Sequence, residues 1–523
     1  MKNFIKLLLV ISLISTIISC SEDYGYDFPH GYDLGDVDDT INSVIDTNRR
    51  LIDKSKFTKA RIFPGLVSDT EKRLENHEVL IDLNYRNSLA SDLRINTPPG
   101  NWQSTSMYAP AGELITIEVP EAVYGLSVLV GAHTYSNISD IPVPQRDPDI
   151  TVLQILFPGK NYVRNLYGGL IYIIPSAPLG KVVPLKFTGV VKAPSFKVGV
   201  TDPETWKTEI KNSSVPWFEL EGNRIIFTLE TSRAKSKTID DPELLMQTWD
   251  KSIKEGFWDW TGLTENNPDP KHRAPFNKWR IVHDVLFRPG VAQVAGYPVR
   301  VDLKNGNDYF SQAIGIEGVK YSNWGTYHEL GHNMQQNSIW SIAGGNMMGE
   351  VTNNIYSFKI ANMYGRVHLK IKNIWEGTEL HTYLESTDKW DNMDVKYPSS
   401  EVTRKLTALG NEEVFVKTGH LDIKLFMYGQ IFEKYGYEFM TYLSKRARDA
   451  RFTSSNNQSK YDFFYEALCE YTNTDMLPYF ETWGWVISDV SKTRISSTLG
   501  LPKLTKKVWK FNPYTKTGGD ENI

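Results

Sequence analysis

The chain has almost no cysteine, 2 in 523 residues. If Cys20 is used elsewhere, Cys469 has no partner, and an internal disulfide is excluded. There is no block of Lys and Arg. Basic and acidic residues stand at 58 against 62, for a formal net charge of -4. Nothing therefore tracks a phosphate backbone, and nucleic acid is excluded as a partner. No Gly-x-Ser-x-Gly elbow and no phosphate-cradling glycine loop with Lys occurs, which sets aside those two catalytic classes. Internal repeats and low-complexity linkers are also missing. Aromatic residues, in contrast, are plentiful at 12%, with 14 Trp and 27 Tyr. Most serve a core, and exposed aromatic faces would also suit a glycan.

The N-terminus carries the first specific signal. A short basic start precedes an apolar run at 7–18, too short and wrongly flanked for a membrane helix. The run ends at Ile17-Ile18-Ser19-Cys20, which looks like a bacterial lipobox. Cys20 would then be acylated, and Ser21-Glu22-Asp23 would open a polar tether. This predicts a lipoprotein of the outer membrane or cell surface of a Gram-negative bacterium, touching the membrane through its lipid anchor only. An ordinary secretion signal with an incidental Cys is the alternative.

The expected fold class is α+β and multidomain. Residues 1–20 read as the lipoprotein signal peptide, and 21–75 as tether and N-terminal helix, the helix at 37–53. Short alternating runs such as Leu114-Ile115-Thr116-Ile117-Glu118-Val119 recur between Gly, Pro and Asn. They predict a β-sandwich region at 76–195. Helices mix with strands across 196–400, where the chemistry lies, and 401–523 reads as helical. Strands are expected at 280–287 and 296–303, and helices at 321–337 and 349–361.

Tyr327-His328-Glu329-Leu330-Gly331-His332-Asn333 contains His-Glu-x-x-His. Residues four apart share a helix face, so both imidazoles can reach one ion. Glu329 projects beside the ion, where it can take a proton from water the ion activates. Glu350, 18 positions after His332, supplies a carboxylate on a following helix. Two imidazoles and one carboxylate suit a single Zn2+ per chain and leave a position open for water and substrate. Asn354, one helical turn beyond Glu350, can accept the free ring N–H of a ligand histidine. The plain alternatives are chance histidines on a surface helix and a helix-start acid at 350. The other eight histidines have no ligand spacing, and among them His283 sits in a strand expected just upstream.

At these residues the chain resembles the enhancin-like metallopeptidases, peptidase family M-sixty. The likeness runs over roughly 101–364. It is carried by ordered landmarks that include Tyr167-Gly168-Gly169-Leu170-Ile171-Tyr172, Pro216-Trp217-Phe218-Glu219-Leu220, Ala295-Gly296-Tyr297-Pro298, the His-Glu-x-x-His helix and Glu350-Val351-Thr352-Asn353-Asn354. The resemblance implies a gluzincin-like zinc metallopeptidase domain behind a β-sandwich, with a helical C-terminal part. It implies hydrolysis of peptide bonds in mucin-type O-glycosylated proteins, with His328, His332 and Glu350 on zinc and Glu329 as general base. Tyr428 and His283 are the candidates for stabilising the oxyanion. The segment 296–303 is a candidate edge strand for pairing with substrate backbone, or else a buried core strand. Two rivals remain at this stage: a general surface protease with no glycan requirement, and a non-catalytic glycan-binding surface lipoprotein.

Overall fold

The computed structural model describes residues 59–304, 308–341, 348–385 and 410–523, with the side chains of 410–420 outside the description. All of these lie in one unit, 50–523. The helix expected at 37–53 and Cys20 lie outside the described residues.

Nine strands build the first layer pair. They are β1 (His77–Asp82), β2 (Gln103–Ala109), β3 (Leu114–Val119), β4 (Leu126–Val130), β5 (Val152–Leu156), β6 (Gly159–Arg164), β7 (Gly169–Pro175), β8 (Val182–Thr188) and β9 (Val191–Lys192). One sheet runs β1-β8-β3-β6 and the other β5-β4-β7-β2-β9. Every pairing between these strands is antiparallel. Alternation explains the packing: Ile115 and Ile117 point inward with Leu185 and Phe187 from one sheet, against Val128 and Ile173 from the other.

A third, mixed sheet follows, of β10 (Phe196–Lys197), β11 (Trp217–Glu221), β12 (Ile225–Glu230), β13 (Trp279–Asp284), β14 (Gln293–Val294) and β15 (Val299–Asp302). Its order is β10-β11-β12-β13-β15-β14. β13 is buried at every position, because the sheet is covered on both faces. On one face Trp217 and Val282 share a core with Tyr108 and Tyr172 of the sandwich. On the other, Phe227 and Ile281 meet the helices.

The helices that matter here are α1 (Pro203–Asn212), α2 (Pro242–Ile253), α3 (Trp324–Met334), α4 (Gly349–Thr352), α5 (Ile355–Met363), α6 (Gly410–Tyr435), α7 (Glu438–Asp449) and α8 (Asn457–Thr472). Both α1 and α2 start on an aspartate whose carboxylate caps the first turn, with proline just inside. The helix expected at 349–361 is broken into α4 and α5 at Asn353 and Asn354. Of the two readings of 296–303 the core strand holds: its strand, β15, lies inside the sheet between β13 and β14. The edge is β14, only two residues long. Among the described residues no helix is long and apolar enough to cross a membrane.

A buried polar cluster joins the sandwich to the third sheet. Arg280 of β13 pairs with Glu219 of β11, and both side chains are essentially inaccessible. The Tyr172 hydroxyl of β7 donates to Glu219 Oε1 at 3.0 Å, and Arg280 Nη2 donates to Ser104 Oγ of β2 at 2.8 Å. Removing one partner leaves the other charged group without its counterion in a dry interface. Glu219→Ala is expected to cost about 3–5 kcal/mol in chemical denaturation. Lys192→Ala breaks only the exposed pair with Glu209, and should cost less than about 1 kcal/mol.

Candidate metal centre

Helix α3 begins where Asn323 accepts from the Thr326 N–H, and it ends at Met334 with Gln335 turning away. His328 and His332 project from one face, with ring centroids 4.8 Å apart and planes at 87°. The nearest ligand-type atoms of His328, Glu329 and His332 lie within 4.8 Å of one another. Glu350 comes closer to the rings. Its Oε2 is 3.1 Å from His328 Nε2 and 3.3 Å from His332 Nε2. Glu329 Oε1 stands back at 3.9 Å from His328 Nε2.

The outer ring nitrogens are held in a definite state. His328 Nδ1 lies 2.8 Å from Asn354 Oδ1, and Asn354 Nδ2 donates to the Glu350 carbonyl at 2.7 Å. His332 Nδ1 lies 3.0 Å from Gln335 Oε1, and Gln335 Nε2 donates to the Gly349 carbonyl and Thr352 Oγ1. Each amide thus spends its N–H on backbone or hydroxyl and turns its oxygen to a ring. Both imidazoles carry their proton on Nδ1, and both Nε2 lone pairs face Glu350. Asn353 Nδ2 lies 2.9 Å from His332 Nε2, on the lone pair a metal would use.

The charges agree with a cation site. With neutral rings, Glu329 and Glu350 leave two negative charges for one divalent ion to balance. Where the rings are instead protonated on Nε2 as well, their hydrogen bonds hold the Glu350 carboxyl well below the usual carboxylate range. Burial opposes a charge on His332, but the bonds to Glu350 and Gln335 leave its pKa raised. Burial raises Glu329 above the ordinary value, although both imidazoles pull the other way.

The edge of the third sheet lies against this helix. The Ala295 backbone, just past β14, hydrogen-bonds the Glu329 carboxylate. Asn333 and Gly296 exchange two bonds, Gly296 N to Oδ1 at 2.9 Å and Nδ2 to the Gly296 carbonyl at 3.0 Å. The next contact fixes the depth of the helix. A Cβ at Gly331 would fall 2.0 Å from the Asn353 carbonyl oxygen.

The two oxyanion candidates are corrected. His283 lies in the middle strand β13, 1% exposed, and burial pushes its imidazole down to about 3. Tyr428 of α6 is equally buried, its ring 5.5 Å from that of Phe464. Both are core residues, and among the described residues no hydrogen bond or ring contact ties either to the imidazole pair. Sequence reasoning missed Gln335, Asn333, Asn353 and Ala295. Gln335 stands three residues after His332, a signal that becomes legible only once the helix is known to stop at Met334.

A family model described as peptidase M60, enhancin and enhancin-like, matches residues 189–484, more than half of the chain. The chain belongs to the peptidase M60 family. A second model, the N-terminal domain of M60-like peptidases, matches 86–182, the stretch holding most of the sandwich. Solved M60 structures share the fold. The ZmpB metallopeptidase from Clostridium perfringens aligns with TM-score 0.61 and 18% identity over 86% of this chain and 84% of that one. The M60 catalytic domain of ZmpC from the same organism, in complex with the sialyl T antigen, gives 0.61 and 18% over 84% and 82%. A functionally unknown conserved protein from Bacillus anthracis gives 0.65 and 21% over 83% and 81%. Curated relatives include TRPM8 channel-associated factor 3 of Rattus norvegicus, 28% identical over 80% of this chain and 41% of the relative. TRPM8 channel-associated factor 2 of Homo sapiens is 27% identical over 79% and 41%. The chain thus spans about two fifths of the length of these relatives. Their vertebrate origin corrects the localisation read from the N-terminus. A lipoprotein of a Gram-negative outer membrane does not stand against them. The M60 fold implies a metal, and the donor set of His328, Glu329 and His332 could bind one.

Gly331→Ala forces helix α3 off the Asn353 carbonyl. It is expected to lower stability by about 1–3 kcal/mol through overpacking, read from denaturant midpoints beside the wild type.

Proposed function

We propose that this M60 chain is a zinc-dependent endopeptidase acting on mucin-type O-glycosylated proteins. His328, His332 and Glu350 would hold one Zn2+, and Glu329 would act as general base. One observation carries this reading: both Nε2 atoms converge on a single Glu350 oxygen while both Nδ1 atoms are engaged by amide oxygens. That set of two imidazoles and one carboxylate suits zinc and leaves a position open.

Bound there, zinc would polarise the scissile carbonyl and lower the pKa of water. The chain's own groups do the rest. Glu329, raised by burial, takes the proton of the attacking water and passes it to the leaving amine nitrogen. The Ala295 backbone keeps that carboxylate aimed. The free side of β14 offers main-chain groups to an extended peptide laid beside it. The glycoprotein substrate is supported by the solved relatives in complex with the sialyl T antigen and the Tn antigen. A second reading, a binding protein without catalysis, is favoured by the curated relatives' name of channel-associated factor.

The deciding test uses the zinc-loaded chain on a mucin-type O-glycoprotein and on its deglycosylated twin. Cleavage of the glycosylated form alone is expected, falling at least about 100-fold in Glu329→Gln with zinc content unchanged. Equal cleavage of both forms would point to a general protease. Failure to cleave either, with zinc bound, would favour the binding protein.

A separate measurement addresses the ring partners. Asn354→Ala frees His328 Nδ1, and zinc affinity by chelator competition should drop about 10–100-fold.

A further inference from the structure

A short segment of the sandwich half reaches the metal helix. After the one-turn helix Ala90–Leu93 the chain passes through residues 94–100 before β2 begins at Gln103. Leu93 and Ile95 are 1% and 6% exposed and belong to the core of the metal-binding half. Arg94 and Asn96 alternate with them and are less buried, Asn96 being exposed. The segment falls within 86–182, matched as an N-terminal domain, and outside the 189–484 matched as peptidase.

Its polar contacts fall on the end of α3. An α-helix leaves its last carbonyls without partners of its own. Two of those in α3 are met from this segment. Asn96 Nδ2 donates to the His332 carbonyl at 2.8 Å, and the Thr97 N–H donates to the Asn333 carbonyl at 3.0 Å. The His332 carbonyl also accepts the Gln335 N–H, at a longer 3.4 Å. Asn96 therefore holds the carbonyl about which the chain turns to bring Gln335 Oε1 to His332 Nδ1 at 3.0 Å.

The segment is itself anchored at both ends. Arg94 donates four bonds to the end of α7 and the residues after it. Nη1 reaches the carbonyls of Ala447, at 3.2 Å, and of Ala450; Nη2 reaches the Phe452 carbonyl at 2.6 Å and Thr453 Oγ1 at 2.7 Å. Arg94 has a φ of 53°, in the left-handed region. Glycine would sit there with less strain; arginine brings the donors. At the other end Gly100 lies against Tyr297, where a Cβ would fall 2.4 Å from the ring. Tyr297 follows Gly296, the residue that Asn333 grips. Residues 93–100 thus brace the end of α3 between α7 and the turn after β14.

We propose that Asn96 and Arg94 are positioning residues of the metal centre. They act on the His332 ring through the His332 carbonyl and Gln335. The sandwich half then helps to aim a metal ligand, beyond covering the sheet behind it. The proposal rests on the zinc reading above for the ion, and on the chain's own hydrogen bonds for the state of the ring.

The test compares the full chain with Asn96→Ala, a change at an exposed position that the fold tolerates, and with Asn96→Asp, which keeps the shape and loses the donor. Zn2+ affinity by chelator competition should fall about three- to tenfold in both, less than the ~10–100-fold of a direct ring partner. The visible absorption bands of the Co2+-loaded chain should shift in the same variants. Arg94→Ala should weaken Zn2+ to a similar extent, and the double variant little further, since both residues act through one segment. In the metal-free chain, ring 15N spectra should show the His332 proton on Nδ1, and a mixture of tautomers in Asn96→Ala. Lower stability with unchanged affinity, cobalt bands and tautomer would mark a merely structural segment and overturn the proposal. So would equal Zn2+ affinity in wild type and variants, a result that leaves the zinc reading intact. A wild type that binds no metal defeats the zinc reading instead. The tautomer then decides this proposal: a change in Asn96→Ala upholds it, and no change overturns it.

Discussion

The metal centre depends on how closely α3 can approach the segment after α4. Contact is made through Gly331, whose missing side chain lets the Asn353 carbonyl sit where a Cβ would otherwise be. That approach sets the span between the imidazole pair and Glu350, and hence whether three donors can share one ion. A helix carrying any larger residue at this point would stand further off. The two histidines would keep their mutual spacing, which is intrinsic to the helix, and lose the carboxylate. Asn333 does the complementary task on the sheet side by gripping the Gly296 backbone in both directions.

Around that contact the polar groups are ordered by who donates to whom. Asn354 and Gln335 come from different places in the chain, one beyond Glu350 and one at the end of α3. Both present an amide oxygen to an Nδ1 and anchor their own N–H elsewhere. The result is a pair of rings whose lone pairs point to the same side. Glu329 sits deeper than Glu350, and burial keeps its proton affinity higher. Two carboxylates a short distance apart are thereby given different tasks by their surroundings.

Much of this was legible in the sequence, because its period is that of regular structure. The His328–His332 interval and the turn from Glu350 to Asn354 both follow from 3.6 residues per turn. Runs such as Leu114–Val119 reveal sandwich strands by alternation alone. The errors have equally physical origins. β14 is two residues long, too short to show any alternation, so the longer run after it stayed open between edge strand and core strand. His283 and Tyr428 have suitable chemistry, but a residue type carries no distance, and the packing of β13 and α6 encloses both. Gln335 depends on where a helix stops and which way the chain then turns, which is a property of tertiary contacts. The brace at Arg94 and Asn96 was invisible for the same reason, its partners lying 236 to 359 residues further along the chain.

The double covering of the third sheet has a consequence for how such proteins can be built. Trp217 and Val282 have sandwich residues as their neighbours on one face, so that face has no water-adapted surface of its own. A metal-binding half expressed without its sandwich would present a wide oily sheet to solvent and aggregate. The sandwich and the metal-binding part therefore share one core, and a cut near residue 195 would expose apolar surface on both sides.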